Sequence, residues 1–409
     1  MRGFRSLSRT SVAMFLRRLN STRGRPPAPL GARILTNSDD VFQHNMWDHV
    51  QWTEEDKEQA RQRAEENSST RIPVEEQGKY DTEASTYWEN FYERHQNKFF
   101  KDRKWLFVEF PELIPMETDR TGTEECDRGQ VAPCPEPREC DRGQVSPCPE
   151  PRECDRGQVA PCPEPRERDR DTHTVQQHPP SANHAEIVGS QPSCCQDERP
   201  TAEAADSSPG QHASFRILEV GCGAGNSVFP IIGSIKDRGV FLYCCDFSPR
   251  AVQLVKEHPA YDQSVCHAFV HDVCDEVASF PFPPLSLDVI LVVFVLSSVH
   301  PERVQGVVNR LSGFLKHGGT FLFRDYGRYD LSQLRLKKGQ CLSENFYIRR
   351  DGTCVYFFTK DEVHRLFTNS GLEEIQNLED RRLQVNRGKK VVMQRVWMQS
   401  KFRKPHPLL

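Results

Sequence analysis

Three glycines and one carboxylate form the most informative chemical pattern in this sequence of 409 residues. Gly221, Gly223 and Gly225 follow an apolar run at 215–220, and Asp246 ends the next apolar run. Glycine has no Cβ, so the chain can turn sharply there and approach a ligand closely. A carboxylate at the end of the neighbouring strand can accept both hydroxyls of an adenosine ribose. The pattern predicts a cofactor of the nucleotide type.

Nicotinamide dinucleotides are the first alternative for that cofactor. Their fingerprint, G-x-G-x-x-G/A, places a pyrophosphate at the start of a helix. Here the spacing is G-x-G-x-G, Asn226 stands where a small residue is expected, and Glu219 adds a negative charge that would repel a pyrophosphate. The loop E-V-G-C-G-A-G resembles the cofactor loop of the class I S-adenosylmethionine methyltransferases. We therefore expect S-adenosyl-L-methionine as the cofactor, with Glu219 and Asn226 facing its amino-acid part.

Alternating apolar and amphipathic segments predict the elements that hold this loop. Strands are predicted at 215–220, 240–245, 266–271, 287–295, 319–325, 372–380 and 391–400. Helices are predicted near 226–236, 248–257, 301–316 and 359–369. Since strands alternate with helices and several strands are apolar throughout, the sheet should be mostly parallel and covered on both faces. The predicted fold class is α/β: the Rossmann-like fold of a class I S-adenosylmethionine methyltransferase, with a seven-stranded, mostly parallel sheet, a helical N-terminal extension and a disordered insertion.

Two further residues fall where a ligand of such a sheet would lie, beyond the carboxyl ends of the strands. Asp272 directly follows the third predicted strand, and we expect it to accept a hydrogen bond from the adenine amino group. The alternative for Asp272 is a turn or helix-cap residue. Val292 lies in the fourth predicted strand and is expected to form part of the apolar wall around the adenine ring.

Composition indicates that part of the chain is unfolded. The mean hydropathy is −0.67 and hydrophobic residues make up 36 % of the chain, which is low for a fully globular protein. Residues 125–166 are three copies of the unit E-C-D-R-G-Q-V-[AS]-P-C-P-E-P-R, and proline at this density blocks helices and sheets. We expect a disordered insertion at 116–213 between a helical N-terminal region at 26–115 and a methyltransferase domain at 214–405. The 15 cysteines contain no C-x-x-C pair, so no metal site is predicted and a reducing compartment fits best.

The first residues have the composition of a targeting sequence. Residues 1–25 contain seven arginines, several serines and no acidic residue, with apolar and basic side chains on opposite sides of a helical wheel. This composition predicts a mitochondrial presequence and location in the matrix. The alternative is a disordered basic arm that binds nucleic acid. An additional nuclear or cytosolic form would arise if translation began downstream, for instance at Met46, and no apolar run is long enough to predict a membrane span.

Several motifs outside the cofactor loop resemble those of the methyltransferase-like tRNA N3-methylcytidine methyltransferases. The matching segments are 30–35, 41–48, 87–92, 98–103, 218–230, 323–327 and 380–386. The likeness covers residues 28–115 and 214–405, and the basic first residues make the chain most similar to the mitochondrial member of that family. The triple repeat is a departure at a place where the family is variable.

The resemblance implies a substrate and a set of cofactor residues. The substrate would be cytidine at conventional position 32 of the anticodon loop of mitochondrial tRNAs of the threonine and serine types, methylated on ring nitrogen N3. The enzyme would be a monomer that binds the anticodon arm of tRNA. A tRNA synthetase is a candidate partner. The cofactor residues implied are Trp88, Tyr92, Gly221, Asp246, Asp272 and Val292.

Asp325 and a group of basic residues are the candidates for contact with the nucleic acid. Asp325 ends the fifth predicted strand and could stabilise the cationic product or hold the exocyclic amine, unless it only pairs with Arg324 or a neighbouring arginine. Basic side chains near aromatic ones suit phosphates and stacked bases, although such a run is often only a solvated face. The candidates are Lys101, Arg103, Lys104, Arg381, Arg382, Arg387, Lys389 and Lys390.

Two other functions are consistent with part of the sequence pattern. A small-molecule or protein methyltransferase would use the same cofactor loop but would not need the basic, aromatic-rich flanks. A non-catalytic RNA-binding factor would use the fold as a scaffold, and the intact glycines and carboxylates of the loop argue against it.

Overall fold

The structure, a computed structural model, describes residues 33–115 and 209–407, apart from Lys104 and Asp237. The predicted presequence at 1–25 and the triple repeat at 125–166 lie outside these residues. So does most of the predicted insertion, and the described chain resumes with turns at 209–212.

The described residues contain the predicted strands and helices of the methyltransferase domain in the predicted order, together with elements that the sequence pattern does not predict. The α-helices are α1 (Glu54–Ser68), α2 (Val74–Thr82), α3 (Ala84–His95), α4 (Leu106–Glu109), α5 (Val228–Ile235), α6 (Pro249–Lys256), α7 (Pro301–Phe314), α8 (Leu331–Leu334) and α9 (Lys360–Thr368). The strands are β1 (Met46–Trp47), β2 (Phe215–Val220), β3 (Val240–Asp246), β4 (Cys266–Val270), β5 (Leu287–Val293), β6 (Leu315–Tyr326), β7 (Cys341–Ser343), β8 (Phe346–Ile348), β9 (Cys354–Tyr356), β10 (Glu373–Asn386) and β11 (Val391–Arg403).

The central sheet has the strand order β1-β10-β11-β6-β5-β2-β3-β4. Strands β6, β5, β2, β3 and β4 are parallel to one another, while β11, β10 and β1 are added antiparallel. The mostly parallel sheet is confirmed, but it has eight strands and not seven. The extra strand is β1, whose two residues pair with Leu383 and Gln384, and two residues are too few to show any periodicity in the sequence.

The sheet is covered on both faces, as its continuous apolar strands predict. Phe321 and Phe323 of β6 point into one core and Leu322 into the other, because successive side chains of a strand face opposite ways. All three side chains are fully buried. The strands are therefore fixed from both faces, and their carboxyl ends can serve as a rigid platform.

Two features of the fold were not predicted. Strands β7, β8 and β9 form a separate three-stranded antiparallel sheet, and strands of three residues carry too few side chains to be recognised. Within the N-terminal region predicted to be helical, the chain breaks at Glu83, where φ is −102° and ψ is 12°, and this break separates α2 from α3. The break gives α3 its own direction, and α3 packs on α6 through Phe91, Tyr92 and Ala251.

Candidate active site

The glycine loop joins β2 to α5 at the carboxyl edge of the sheet. Gly221 and Gly223 have φ of 62° and 54°, a conformation that other residues adopt only with strain. A Cβ at Gly221 would lie 2.5 Å from the side chain of Val295, and one at Gly223 would lie 2.6 Å from the hydroxyl of Tyr92. Both positions therefore require glycine for the turn and for the close approach.

Asp246 ends β3 directly beside this loop. Its Oδ2 accepts a hydrogen bond of 2.9 Å from the Gly223 amide, and its Oδ1 accepts one of 3.0 Å from the Ser248 amide. The side chain is only 5 % exposed, and burial raises the pKa of its carboxyl to about 6 although these hydrogen bonds oppose the shift. The carboxylate is held in one orientation, with the glycine loop on one side and the start of α6 on the other.

A cavity opens above these strand ends. It brings together five of the six residues predicted for the cofactor: Trp88, Tyr92, Gly221, Asp246 and Asp272. Other lining residues come from the end of α2 and the start of α7, among them Asp81, His300 and Arg303. The cavity therefore lies between the predicted Rossmann-like sheet and the N-terminal helical region.

Trp88 and Tyr92 reach the cavity from α3, one helical turn apart. Their rings stack with centroids 6.0 Å apart and an interplanar angle of 29°. Tyr92 is 5 % exposed, and burial together with the nearby charge of Asp246 raises the pKa of its hydroxyl. The Tyr92 hydroxyl lies close to Gly223, so this ring contacts the glycine loop.

Asp272 lies at the exposed rim of the cavity, after β4. Its Oδ1 accepts a hydrogen bond of 2.8 Å from the Cys274 amide, so the turn role considered for this residue is present. The same residue lines the cavity, and one role does not exclude the other.

Val292 is the predicted cofactor residue that the structure does not bring to the cavity. It is fully buried within β5 and belongs to the core. The apolar lining comes instead from Phe294 and Val295, because β5 ends at Val293 and the chain turns at Phe294, where φ is 60°. A non-glycine residue with such a φ often marks a functional site. The apolar run 289–296 gave no sign of where the strand would end.

Glu219 lies beneath the glycine loop and is 1 % exposed. Neither of its carboxylate oxygens has a hydrogen-bond partner among the described residues, and the nearest cation is Nη1 of Arg103 at 3.6 Å. Burial raises the pKa of Glu219 to about 7, while Arg103 and the nearby Ser227 hydroxyl oppose the shift. A buried carboxylate without a hydrogen-bond donor is rare, and it fits a ligand that brings an ammonium group.

Arg103 lies in this site and not on an outer surface. Its side chain is 16 % exposed, its Nη1 donates a hydrogen bond of 2.6 Å to Ser227, and its amide donates one of 2.9 Å to the carbonyl of Asn226. The side-chain amide of Asn226 in turn donates to the carbonyl of Phe100. The segment 100–103 is thereby fastened to the cofactor loop, which no local sequence signal indicated.

Comparisons with known proteins agree with this geometry. A model of the family described as "Methyltransferase domain" matches residues 218–321. Over 385 residues the chain is 47 % identical to tRNA N(3)-cytidine methyltransferase METTL2 of Danio rerio, covering 94 % of this chain and 92 % of that protein. It is 47 % identical to METTL2B of Homo sapiens, with 92 % and 93 % covered. The chain belongs to the tRNA N(3)-cytidine methyltransferase family.

A mitochondrial relative also matches, over less of the chain. The mouse protein named tRNA N(3)-cytidine methyltransferase METTL8, mitochondrial, is 44 % identical over 289 residues, which cover 68 % of this chain and 89 % of that protein. The METTL2 proteins of fish and human thus match more of this methyltransferase, at slightly higher identity.

The described residues fit the cofactor of this family. S-adenosyl-L-methionine is the predicted cofactor, and this prediction is confirmed, as are the class I fold and the enzyme class. The orphaned carboxylate of Glu219 and the cavity beside Asp246 are the observations that suit its amino group and its ribose.

Asp325 of the methyltransferase is fully buried and is not among the lining residues of the cavity. Its Oδ2 accepts a hydrogen bond of 2.9 Å from the Ser297 amide, and its Oδ1 accepts one of 2.8 Å from the Tyr326 amide. Burial raises the pKa of its carboxyl to about 6. The pairing with Arg324 that was considered does not form, since Arg324 contacts Asp380 and Gln399.

The basic residues predicted to contact RNA divide into two groups. Arg382 is 13 % exposed in its side chain and forms ion pairs with Asp48, Glu109 and Asp380. Arg381 pairs with Glu379 and lies over the ring of Trp52 at 4.5 Å. The charges of Arg103 and Arg382 are thus paired within the protein, and Arg381 is paired with a glutamate of its own strand.

The second group lies on the surface. Lys101, Arg387, Lys389 and Lys390 are exposed, and the last three share the turn between β10 and β11. Arg387 donates a hydrogen bond of 3.3 Å to the carbonyl of Gln43. Lys104 lies outside the described residues.

The described residues hold no group of three or more potential metal ligands, and their seven cysteines are free. Among the same residues, every helix is too short or too polar to cross a lipid bilayer.

Proposed function

We propose that this enzyme methylates ring nitrogen N3 of cytidine at position 32 in the anticodon loop of mitochondrial tRNAs, of the threonine and serine types. The observation that carries the proposal is the cavity at the strand ends, lined by Asp246, Tyr92 and Gly221, in a chain of the tRNA N(3)-cytidine methyltransferase family. The geometry of the cavity supports binding of the cofactor, and membership of the family supports tRNA cytidine as the substrate.

Seven residues would hold the cofactor. Asp246 would accept the ribose hydroxyls, Asp272 the adenine amino group, and Glu219 the ammonium group, each through a carboxylate at or beneath the cavity wall. Phe294 and Val295 take the place predicted for Val292 as the apolar wall. Trp88 and Tyr92 would close the cavity from α3.

Bound S-adenosylmethionine supplies a methyl group on a sulfonium, which is already activated for displacement. The protein therefore has to align the acceptor and the methyl group, and orientation of this kind is worth about 7–11 kcal/mol. The N3 lone pair forms the new bond, so no side chain has to remove a proton first. N3 lies on the pairing edge of the base, so the cytidine must be unpaired and turned out, which costs least in a loop.

Asp325 is proposed to act by position and not by contact. Its carboxylate fixes the Ser297 amide, and the neighbouring Ser298 lines the cavity. The contribution of Asp325 would be to hold this wall while its buried charge favours the cationic product.

The surface turn with Arg387, Lys389 and Lys390, together with Lys101, is the proposed contact for tRNA phosphates. A matrix location is supported by the arginine-rich, acid-free composition of residues 1–25 and by the likeness to the mitochondrial mouse relative. We propose that the enzyme works as a monomer, with a tRNA synthetase as its candidate partner.

The test uses the purified chain, isotope-labelled S-adenosylmethionine and pure tRNA transcripts, followed by nucleoside mass spectrometry. Mitochondrial threonine and serine tRNAs are compared with their cytosolic counterparts and with variants carrying uridine at position 32. Labelled N3-methylcytidine in the mitochondrial tRNAs and not in the uridine variants is the expected result. Label that forms only in the cytosolic tRNAs would contradict the mitochondrial assignment, and label in the uridine variants would contradict the position. Each reaction is repeated with the cognate synthetase, and a gain of product only in its presence identifies the partner.

A further inference from the structure

Helix α6 begins next to the cofactor cavity, and its first turn is completed by a residue from another part of the chain. The N-cap Ser248 accepts a hydrogen bond of 3.1 Å from the Ala251 amide through its Oγ. The Arg250 amide donates to both carboxylate oxygens of Glu89 at 3.2 Å, and the Ser248 hydroxyl also donates to Glu89. Glu89 lies on α3, 161 residues before Arg250.

The contact with Glu89 provides a hydrogen-bond acceptor for backbone amides at the start of α6. The first amides of a helix have no partner within it, and negative charge near them is favourable. Ser248 meets one of these needs in the usual way, as an N-cap. Glu89 meets another, so the start of α6 is complete only when α3 is docked.

The same serine connects Glu89 to the carboxylate at the end of β3. The Ser248 amide donates to Oδ1 of Asp246 at 3.0 Å, while its hydroxyl donates to Glu89. Glu89 and Asp246 therefore hold one residue from two directions. Glu89 does not line the cavity, but its helical neighbours Trp88 and Tyr92 do.

We propose that Glu89 is a positioning residue, which fixes Ser248 and thereby the orientation of Asp246, and which couples cofactor binding to the docking of α3. The inference rests on the proposed role of Asp246 at the ribose. Without the Glu89 contact, Asp246 would keep its bond to Gly223 but lose the restraint on its other side. The rings of Trp88 and Tyr92 would be less firmly placed at the same time.

The test compares Glu89→Gln with Glu93→Gln, which changes an exposed glutamate one turn along the same helix. Glu89→Gln keeps the size of the side chain but places an amide N–H₂ against donors. Hydrogen bonds to a charged group contribute about 1.5–3 kcal/mol, so we expect the Kd of S-adenosylmethionine, measured by calorimetry, to rise about tenfold or more. The KM for the cofactor should rise in parallel, with kcat and the KM for tRNA changed by about twofold at most. Glu93→Gln should match the wild type.

A Kd for Glu89→Gln equal to that of Glu93→Gln would overturn the proposal, and so would a loss of kcat with the Kd unchanged. Ser248→Ala provides a second route, should the glutamine variant fold poorly. The Kd should rise in this variant too, and the double variant should bind no more weakly than the weaker single one, because both changes break one chain of contacts. Additive effects would show that Glu89 does not act through Ser248. Cofactor binding is measured without tRNA, so an incorrect tRNA substrate leaves this result intact. An incorrect ribose role would instead show as a normal Kd in Asp246→Ala.

Discussion

Asp246 at the end of β3 is buried and Arg382 in β10 is largely buried, and both belong to motifs that stand out in the sequence, but their partners differ. Asp246 accepts hydrogen bonds from backbone amides of the glycine loop and of the adjacent turn, and the cavity lies beside it. Arg382 pairs with Asp380 on its own strand and with Asp48 and Glu109, which come from the N-terminal region. The carboxylate of Asp246 is therefore oriented toward a ligand site, whereas Arg382 joins two parts of the chain that are distant in sequence.

The comparison of Asp246 with Arg382 shows when the role of a charged residue can be predicted from the sequence around it. The partners of Asp246 follow from the geometry of a strand, a glycine turn and a helix start, which the local sequence encodes. The partners of Arg382 depend on where residues 48 and 109 dock, and no local pattern specifies that. The sequence predicts an RNA contact for Arg381 and Arg382, whereas in the structure Arg382 pairs with residues of the N-terminal region and Arg381 lies over the ring of Trp52.

Replacing Asp246 tests the ligand side of this comparison and should have the largest effect. In Asp246→Ala, we expect the Kd of S-adenosylmethionine to rise by about 100-fold or more, since charge-assisted hydrogen bonds to both ribose hydroxyls would be absent. The melting temperature of the protein without cofactor should change little, because burial already penalises this carboxylate, as its raised pKa of about 6 indicates. Calorimetry and thermal denaturation measure the two effects. A large drop in Tm with cofactor binding retained would mean that Asp246 is a structural residue.

Replacing Arg382 should give the opposite result. Arg382→Ala leaves the carboxylates of Asp48, Glu109 and Asp380 close together without their cation, and breaking a buried ion pair in this way costs about 3–5 kcal/mol. We expect the free energy of unfolding to fall by about that amount, measured by denaturant titration. Arg387→Ala, on the exposed turn, is the matched control and should change stability by about 0.5 kcal/mol or less. Equal stability of the two variants would remove the distinction drawn between these arginines.

The pH dependence of cofactor binding depends on Glu219. Its pKa of about 7 is above the ordinary value, so the protein without cofactor carries a proton there below neutral pH and loses stability as pH rises toward 7. An ammonium group of the ligand favours the ionised carboxylate. The affinity for S-adenosylmethionine should therefore rise roughly tenfold between pH 6 and pH 8, as the ionised fraction grows. Calorimetry at several pH values should show this slope in the wild type and a much flatter profile in Glu219→Gln. A flat profile in the wild type would place the ammonium group elsewhere.

The smallest effect is expected for the exposed turn between β10 and β11. The double variant Arg387→Ala, Lys389→Ala should bind tRNA several-fold more weakly, and the slope of log K against log salt should decrease by roughly one for each phosphate that the protein no longer neutralises. Filter binding at several salt concentrations measures both quantities. Unchanged affinity and slope would leave this turn as a solvated face and move the RNA interface elsewhere.

The parts of the fold that the sequence predicted are those set by local pattern. The seven long strands of the central sheet lie where apolar runs place them, and the conformations of Gly221 and Gly223 follow from their spacing. The end of β5 was missed, because the apolar run continues past Val293 although the chain turns at Phe294. The sequence therefore predicts Val292 for the apolar wall, whereas Phe294 and Val295 line the cavity.

Arg103 shows the other limit. Its basic and aromatic surroundings are typical of an RNA contact, yet the structure places its guanidinium 3.6 Å from Glu219. Two residues 116 positions apart meet there, and a single sequence carries no signal for such a contact. The same holds for Glu89 and Ser248, whose hydrogen bond joins α3 to the start of α6.

The most direct test of the account is to measure methylation of total tRNA by the wild type and by Asp246→Ala. Both proteins are incubated with tRNA and with S-adenosylmethionine carrying an isotope-labelled methyl group. The nucleosides are then separated and identified by mass spectrometry. The account predicts labelled N3-methylcytidine with the wild type and none above background with the variant. Label in another nucleoside, or equal N3-methylcytidine from both proteins, would contradict it.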